Sequence, residues 1–312
     1  MKFFFVGLIV LSLLANSIHA QSRKSAKNTD LSFRGARAEV YKTIGDVELK
    51  MHIFDPPASF EGPRPAIVFF FGGGWRAGSP KQFEQQCRYL ATRGMVAMTA
   101  DYRTRNAYGT DAKECVQDAK SALRWVRSNA KRLNVDPDRI VAGGGSAGGH
   151  LAACVATVMG FDEPGEDTTV SSEPNACVLF NPAVMIADSD GVTPIPADRA
   201  GDLKERMGTE PANLCPTHHI RPDLPPMIMF FGTEDFLLTG AKHFHQKMRA
   251  ANNRCDLKLY EGYQHGFFNF GKSGNEPFKK TLIAADRFLA ELGYVSGGPH
   301  VDEWLSSRDT SQ

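Results

Sequence analysis

Residues Gly144-Gly145-Ser146-Ala147-Gly148 constrain this chain more than any other stretch, because they spell G-x-S-x-G at a change of periodicity. The run Arg139-Ile140-Val141-Ala142 before them predicts a buried strand. His150-Leu151-Ala152-Ala153-Cys154-Val155-Ala156 after them opens a helix. A serine on so tight a strand-to-helix turn has its hydroxyl held out at the sheet edge, and small flanking residues let the backbone close. The free N–H groups at the start of the helix point at the same spot, where negative charge is stabilised. In a chain with 29 glycines the pentapeptide alone also fits a plain βα turn. The remaining segments decide between the two.

A second glycine cluster, Phe71-Gly72-Gly73-Gly74-Trp75, follows Pro65-Ala66-Ile67-Val68-Phe69-Phe70, an unbroken apolar run that predicts a central parallel strand. Acyl transfer generates an oxyanion, and pre-aimed backbone N–H groups are usually the largest source of its stabilisation. Consecutive glycines let a backbone approach a ligand without side-chain obstruction. The N–H groups of Gly73, Gly74 and Ala147 are the expected oxyanion hole. Bulky Phe71, Trp75 and Phe267 flank the same place and are the expected walls of a substrate pocket.

A hydroxyl becomes a useful nucleophile when a base takes its proton and a carboxylate orients that base. Pro226-Met227-Ile228-Met229-Phe230-Phe231 predicts a third buried strand, ending in Gly232-Thr233-Glu234-Asp235. Asp235 stands where the carboxyl end of that strand opens, and the G-T-x-D pattern favours it over Glu234. Cys255-Asp256-Leu257-Lys258-Leu259-Tyr260 predicts a further strand, followed by Glu261-Gly262-Tyr263-Gln264-His265-Gly266-Phe267. The order Ser146, Asp235, His265 is the chain order of an α/β-hydrolase triad. Of the nine histidines, His218 and His219 lie in a proline-punctuated segment, and His243 and His245 on a polar helix. Both pairs read as surface groups. Positions i and i+2 on a helix do not share a face, so His243 and His245 do not make a metal site; no metal and no cofactor is expected.

Together these segments resemble the α/β-hydrolase superfamily, and within it the carboxylesterases of the hormone-sensitive-lipase-like and feruloyl/acetyl-esterase-like groups. The motifs carrying the resemblance are Phe71 to Trp75, Gly144 to Gly149, Asp101-Tyr102-Arg103 and Gly262-Tyr263-Gln264-His265-Gly266-Phe267. It covers residues 35 to 293. The family opens its oxyanion motif with a histidine that braces the loop, and Phe71 stands there in this chain. The elbow also lacks the G-D-S-A-G acid of the hormone-sensitive-lipase-like enzymes, which favours the feruloyl/acetyl-esterase-like branch. The resemblance implies a mostly parallel, doubly wound α/β-hydrolase sheet with the site at the carboxyl ends of its strands.

Residues 1–20 read as a secretory signal peptide. Lys2 gives a positive start, Phe3 to Leu14 a short apolar core, and Ile18-His19-Ala20 a small residue before a cut. That core is shorter than the roughly twenty residues a bilayer span needs, and no cysteine marks a lipid anchor. The mature chain is expected to begin near Gln21 and to be secreted or periplasmic. The remaining residues, about 290, suit one larger α/β domain over 36–312 behind a flexible segment at 21–35. With 36 basic and 35 acidic residues, the charge balance points to neither nucleic acid nor a membrane surface. Of six cysteines, Cys154 and Cys177 lie in apolar stretches and read as buried thiols. Cys87 and Cys115, on either side of the Asp101 strand, are the pair expected to form a disulfide.

Along the domain, Val40 to Ile44 and Val47 to Phe54 predict an antiparallel pair around Gly45-Asp46. Lys81 to Arg93 predicts an amphipathic helix, Met95 to Ala100 a strand, Glu114 to Leu133 a long helix, and Glu276 to Leu292 a closing helix. Residues 182 to 225 break the alternation. They hold six prolines between Pro194 and Pro225 and one short helical stretch near Arg199 to Met207. Such an insertion is expected over the active site.

The expected chemistry is hydrolysis of a small-molecule or carbohydrate ester, with acetylated or feruloylated carbohydrate as the substrate class suggested by export and by the resemblance. Three other readings share parts of the pattern. A prolyl-oligopeptidase-type peptidase needs a large amino-terminal propeller that the residues before the domain do not provide. A kynurenine-formamidase-like amide hydrolase uses a similar loop. A non-catalytic binding protein on this scaffold would not need all three triad positions filled. The sequence assigns no oligomeric state.

Overall fold

Eight strands pair into one sheet, seen in a computed structural model that describes residues 31–196 and 201–309. The expected leader and most of the polar segment after it lie outside the described residues. Phe33, from the described end of that segment, is buried against His52 and Phe54. The strands are β1 (Arg37–Ile44), β2 (Val47–Phe54), β3 (Arg64–Phe70), β4 (Val96–Ala100), β5 (Val135–Gly145), β6 (Ala176–Phe180), β7 (Met227–Gly232) and β8 (Cys255–Tyr260). They lie in the order β1-β2-β4-β3-β5-β6-β7-β8, with β1, β2 and β4 paired antiparallel and β4, β3, β5, β6, β7 and β8 joined by parallel pairings. The parallel strands are the unbroken apolar runs of the sequence, because both their faces are covered.

Period-two alternation sorts each strand's side chains between two layers of helices. Val68, Phe70, Ala142, Leu179, Met229 and Phe231 share one core with the helices Ala112–Ser128, Ala147–Thr157 and Leu238–Ala250. On the other face Phe69 and Phe180 meet Phe83 and Phe268. The helices Glu84–Thr92 and Glu276–Glu291 are joined there through Arg93 and Asp286, 2.7 Å apart. Fully burying one such aromatic ring contributes roughly 1.5–3 kcal/mol. No helix among the described residues is long and apolar enough to cross a membrane.

This two-faced core corrects the expected Cys87–Cys115 disulfide. All six cysteines are free and buried. Cys115 lies in the core shared by Val68 and Phe70, whereas Cys87 follows Phe83 on the face of Phe69. The sheet stands between the two thiols. Flanking the same strand in sequence gave no indication of which face each helix would cover.

The predicted helix Glu114 to Leu133 is two helices, Ala112–Ser128 and Ala130–Leu133. It starts earlier because Glu114 accepts the Asp111 N–H at 2.9 Å, the reciprocal bond of a capping box. It breaks at Asn129, whose side-chain amide donates to the Trp125 carbonyl at 2.9 Å and so competes with the helical ladder. A helix over Val301–Asp309 lies beyond the one expected to close the sheet. Of the helical stretch expected near Arg199 to Met207, the helix Leu203–Met207 is present and Arg199 lies outside the described residues.

Candidate active site

Parallel pairing carries the carboxyl ends of β3, β5, β6, β7 and β8 to one edge of the sheet. Every candidate residue sits within a few positions of one of those ends. β5 stops at Gly145 and the next helix starts at Ala147, so Ser146 alone makes the turn. Its backbone holds φ 54 and ψ −118, a combination that costs a non-glycine residue on the order of 1–3 kcal/mol. Two close approaches maintain it. A Cβ on Gly144 would stand 2.4 Å from the Gly148 carbonyl oxygen, and one on Gly148 would stand 2.0 Å from that of Phe70. The Ser146 N–H donates to Phe180 O at 2.9 Å, tying the turn to the neighbouring strand.

Ser146 Oγ lies 2.9 Å from His265 Nε2. His265 Nδ1 lies 2.8 Å from Asp235 Oδ2 and 3.0 Å from Oδ1. The Asp235 side chain is fully buried and also accepts the Leu237 N–H, while His265 stays 26% exposed. A buried carboxylate held by the imidazole on one side and open access on the other suit an orienting group and a proton carrier respectively. Glu234 is exposed, and its carboxylate accepts only a 3.4 Å bond from Gln264. The geometry therefore joins Asp235, not its neighbour, to the histidine.

The loop after β3 folds tightly over the elbow. Gly73 holds φ 132, and a Cβ there would stand 1.9 Å from Ala77 O. Its carbonyl accepts from Arg76 and Ala77, while its own N–H and that of Gly74 donate to nothing among the described residues. Ala147, first residue of its helix, likewise lacks an acceptor one turn back. A Cβ on Gly72 would lie 3.3 Å from Ser146 Cβ, so loop and elbow touch. Three donors with no acceptor among the described residues thus stand beside a hydroxyl–imidazole–carboxylate chain, an arrangement chemically suited to acyl transfer.

The profile of the alpha/beta hydrolase fold family matches residues 67–269, which span every one of these groups. The chain belongs to that family. Esterase 2 of Thermogutta terrifontis superposes with a TM-score of 0.83 at 48% identity, over 86% of this chain and 98% of that one. The carboxylesterase NlhH of Mycobacterium tuberculosis is 26% identical over 72% of this chain and 73% of its own length. An isoprenylcysteine alpha-carbonyl methylesterase of Arabidopsis thaliana is 27% identical over 67% of this chain and 52% of its own. The chain spans about half the length of several curated relatives, 47% and 56% for two of them. These relatives and neighbours are carboxylic ester hydrolases.

In this α/β-hydrolase the expected pocket residues are packed inward. Phe71 stacks on Tyr102 at 4.1 Å, and the Tyr102 hydroxyl donates to the Phe71 carbonyl at 2.7 Å. Phe267 packs against Tyr260 and Tyr263. Trp75, at φ 61, is buried with its indole N–H on His150 Nδ1 at 3.2 Å. His243 instead contacts Asp190 at 3.2 Å, and the exposed His218 contacts the Asp188 carbonyl. Among the described residues no group of three or more His, Cys, Asp or Glu side chains could hold a metal.

Five residues that sequence reasoning passed over complete the arrangement. Asn181, buried just after β6, accepts the Gly266 N–H at 3.1 Å and places its amide 3.4 Å from His265 Nε2. Its one signal was a polar residue at the carboxyl end of an apolar run. Gln82 accepts the Gly72 N–H at 2.6 Å and donates to Asn269 at 2.8 Å, and Asn269 donates to the Gly266 carbonyl. The oxyanion loop and the histidine loop are thus joined by side chains, without the histidine the family motif carries at Phe71. His150 accepts from Trp75 and donates Nε2–H to Leu214 O at 2.8 Å. Burial pushes its imidazole down to about 4, so the ring is neutral and Nδ1 remains an acceptor. Arg206, from the insertion, lies over the Trp75 ring at 6.0 Å.

Proposed function

We propose that this chain is a serine carboxylesterase acting on short-acyl esters, exported by its amino-terminal leader. The observation that carries the reading is the continuous chain from Ser146 Oγ through His265 to buried Asp235, set beside three N–H groups without an acceptor among the described residues. Ser146 Oγ attacks the carbonyl carbon while its proton passes to His265 Nε2. The oxyanion forms against the N–H groups of Gly73, Gly74 and Ala147. Asp235 stabilises the imidazolium, which then returns the proton to the departing alcohol, leaving an acyl-enzyme. Water repeats the sequence and releases the acid.

Two observations support a short acyl group. The insertion's helix Leu203–Met207 is one turn long and carries Lys204, Glu205 and Arg206, which offers no apolar face to a lipid surface. Esterase 2 of Thermogutta terrifontis, about half identical to this chain, has solved structures with propionate bound and with butyrate bound. Within this reading acetylated or feruloylated carbohydrates are the natural substrate class. A chromogenic ester panel from acetyl to decanoyl, run beside acetylated xylan and methyl ferulate, tests both levels. Activity should peak between acetyl and butyryl. A steady rise to decanoyl, or activation at an oil–water interface, would make the protein a lipase.

A further inference from the structure

The insertion meets the oxyanion loop through arginines. Arg76, just after the loop, pairs with Asp202, and Arg105, at the start of the short helix Arg105–Tyr108, pairs with Glu205, so the helix Leu203–Met207 is held from two sides. Arg206 differs from both. Its guanidinium lies over Trp75, and its Nη1 stands 3.7 Å from where a Cβ of Gly74 would be, the nearest heavy atom to that point. A fixed cation therefore sits within a side chain's width of a proposed oxyanion donor. Nη2 donates to Asp202 Oδ1 at 2.7 Å, a carboxylate shared with Arg76. Neither Nη1 nor Nε has a partner among the described residues, and Nε is buried. Proteins keep few buried donors of a charged group unpaired, because the lost hydration is not returned. The aromatic face of Trp75 orients the cation without consuming a donor.

We propose that Arg206 determines specificity by receiving a carboxylate carried by the substrate, so that the site prefers esters bearing an anionic group over neutral esters of equal size. The proposal rests on the esterase reading for its kinetic form only. Guanidinium is the side chain suited to this task, being permanently charged and weakly hydrated, and Nη1, without a partner among the described residues, stands beside Gly74 of the loop.

The test compares wild type, Arg206→Met and Arg206→Lys on matched pairs. 4-Nitrophenyl butyrate against the 4-nitrophenyl hemiester of succinate places the anion on the acyl side. Phenyl acetate against 4-acetoxybenzoate places it on the alcohol side. Arg206→Met should lower kcat/KM for at least one anionic ester by about 10- to 100-fold, the range for a lost hydrogen bond to a charged group. The neutral partner should stay within about threefold, and Arg206→Lys should fall between. A parallel measurement needs no turnover: calorimetric binding of glutarate to Ser146→Ala with and without Arg206→Met, where Kd should rise about tenfold. Equal losses on neutral and anionic esters, or an unchanged glutarate Kd, would overturn the proposal. Absence of any ester hydrolysis by wild type would sink the esterase reading while leaving the glutarate measurement to decide this one.

Discussion

The nucleophile elbow and the oxyanion loop touch at Gly72 and Ser146, yet they are held by different means. The elbow is held by backbone. Its strand hands over to a helix in one residue, and the approaches of Gly144 to Gly148 and of Gly148 to Phe70 leave no room for a Cβ. The oxyanion loop has a tight backbone turn of its own at Gly73, but side chains reaching in from elsewhere fix its place: Gln82 on Gly72, Tyr102 on the Phe71 carbonyl, and His150 on Trp75. A backbone-held turn tolerates few sequences and so announces itself in a motif. A side-chain-held loop accepts many solutions, and this chain dispenses with the motif's usual histidine.

The contrast is open to direct attack. Ser146→Ala should cost on the order of 10⁵ in kcat, as removal of a member of a unit that acts together. The melting temperature should hardly move, because the hydroxyl contributes almost nothing to packing. Near-native turnover by the purified variant would remove the elbow from the mechanism. Asp235→Asn should lower kcat by roughly 10⁴ through loss of the carboxylate that stabilises the imidazolium, whereas exposed Glu234→Gln should leave it unchanged. The reverse ranking would show that the buried carboxylate is not the one in use.

The loop side should respond to pH through His150. Its folded imidazole lies at about 4 because of burial, below the 6.5 of an ordinary histidine. Between those values the unfolded chain binds the proton and the folded chain does not. Stability is therefore complete above about pH 6.5 and is lost as pH falls toward 4, by about 3 kcal/mol in all. In His150→Gln, which can still accept from Trp75 and donate to Leu214, this part of the slope should vanish from chemical denaturation measured between pH 7 and 4. An unchanged slope would assign the acid sensitivity elsewhere. The smallest effect is expected from Gln82→Ala, which leaves the Gly72 N–H without its acceptor. A drop in kcat of about tenfold with KM little altered fits a brace acting through an oxyanion donor, and unchanged kcat would show that the loop holds itself.

Much of the fold was legible along the chain. The apolar runs ending at Phe70, at Phe231 and before Gly144 are strands because β-pairing buries both their faces, and period alone reports that. Ser146, Asp235 and His265 were readable because each follows a strand end at short range. Asn181 was nearly readable, as a polar residue closing the apolar run that holds Cys177. Gln82 was hidden because its partner Asn269 lies 187 positions away, and no local pattern carries such a distance.

The sequence by itself determined where the main apolar strands run and which serine, carboxylate and histidine stand at strand ends, since those follow from backbone periodicity and the sterics of glycine. Only the tertiary structure decided which helices share a face of the sheet, and with it that Cys87 and Cys115 lie on opposite sides. It alone brought His150, Gln82 and Arg206 to the oxyanion loop. Contacts of that kind depend on side-chain reach across packed layers, and neighbours along the chain carry no record of them.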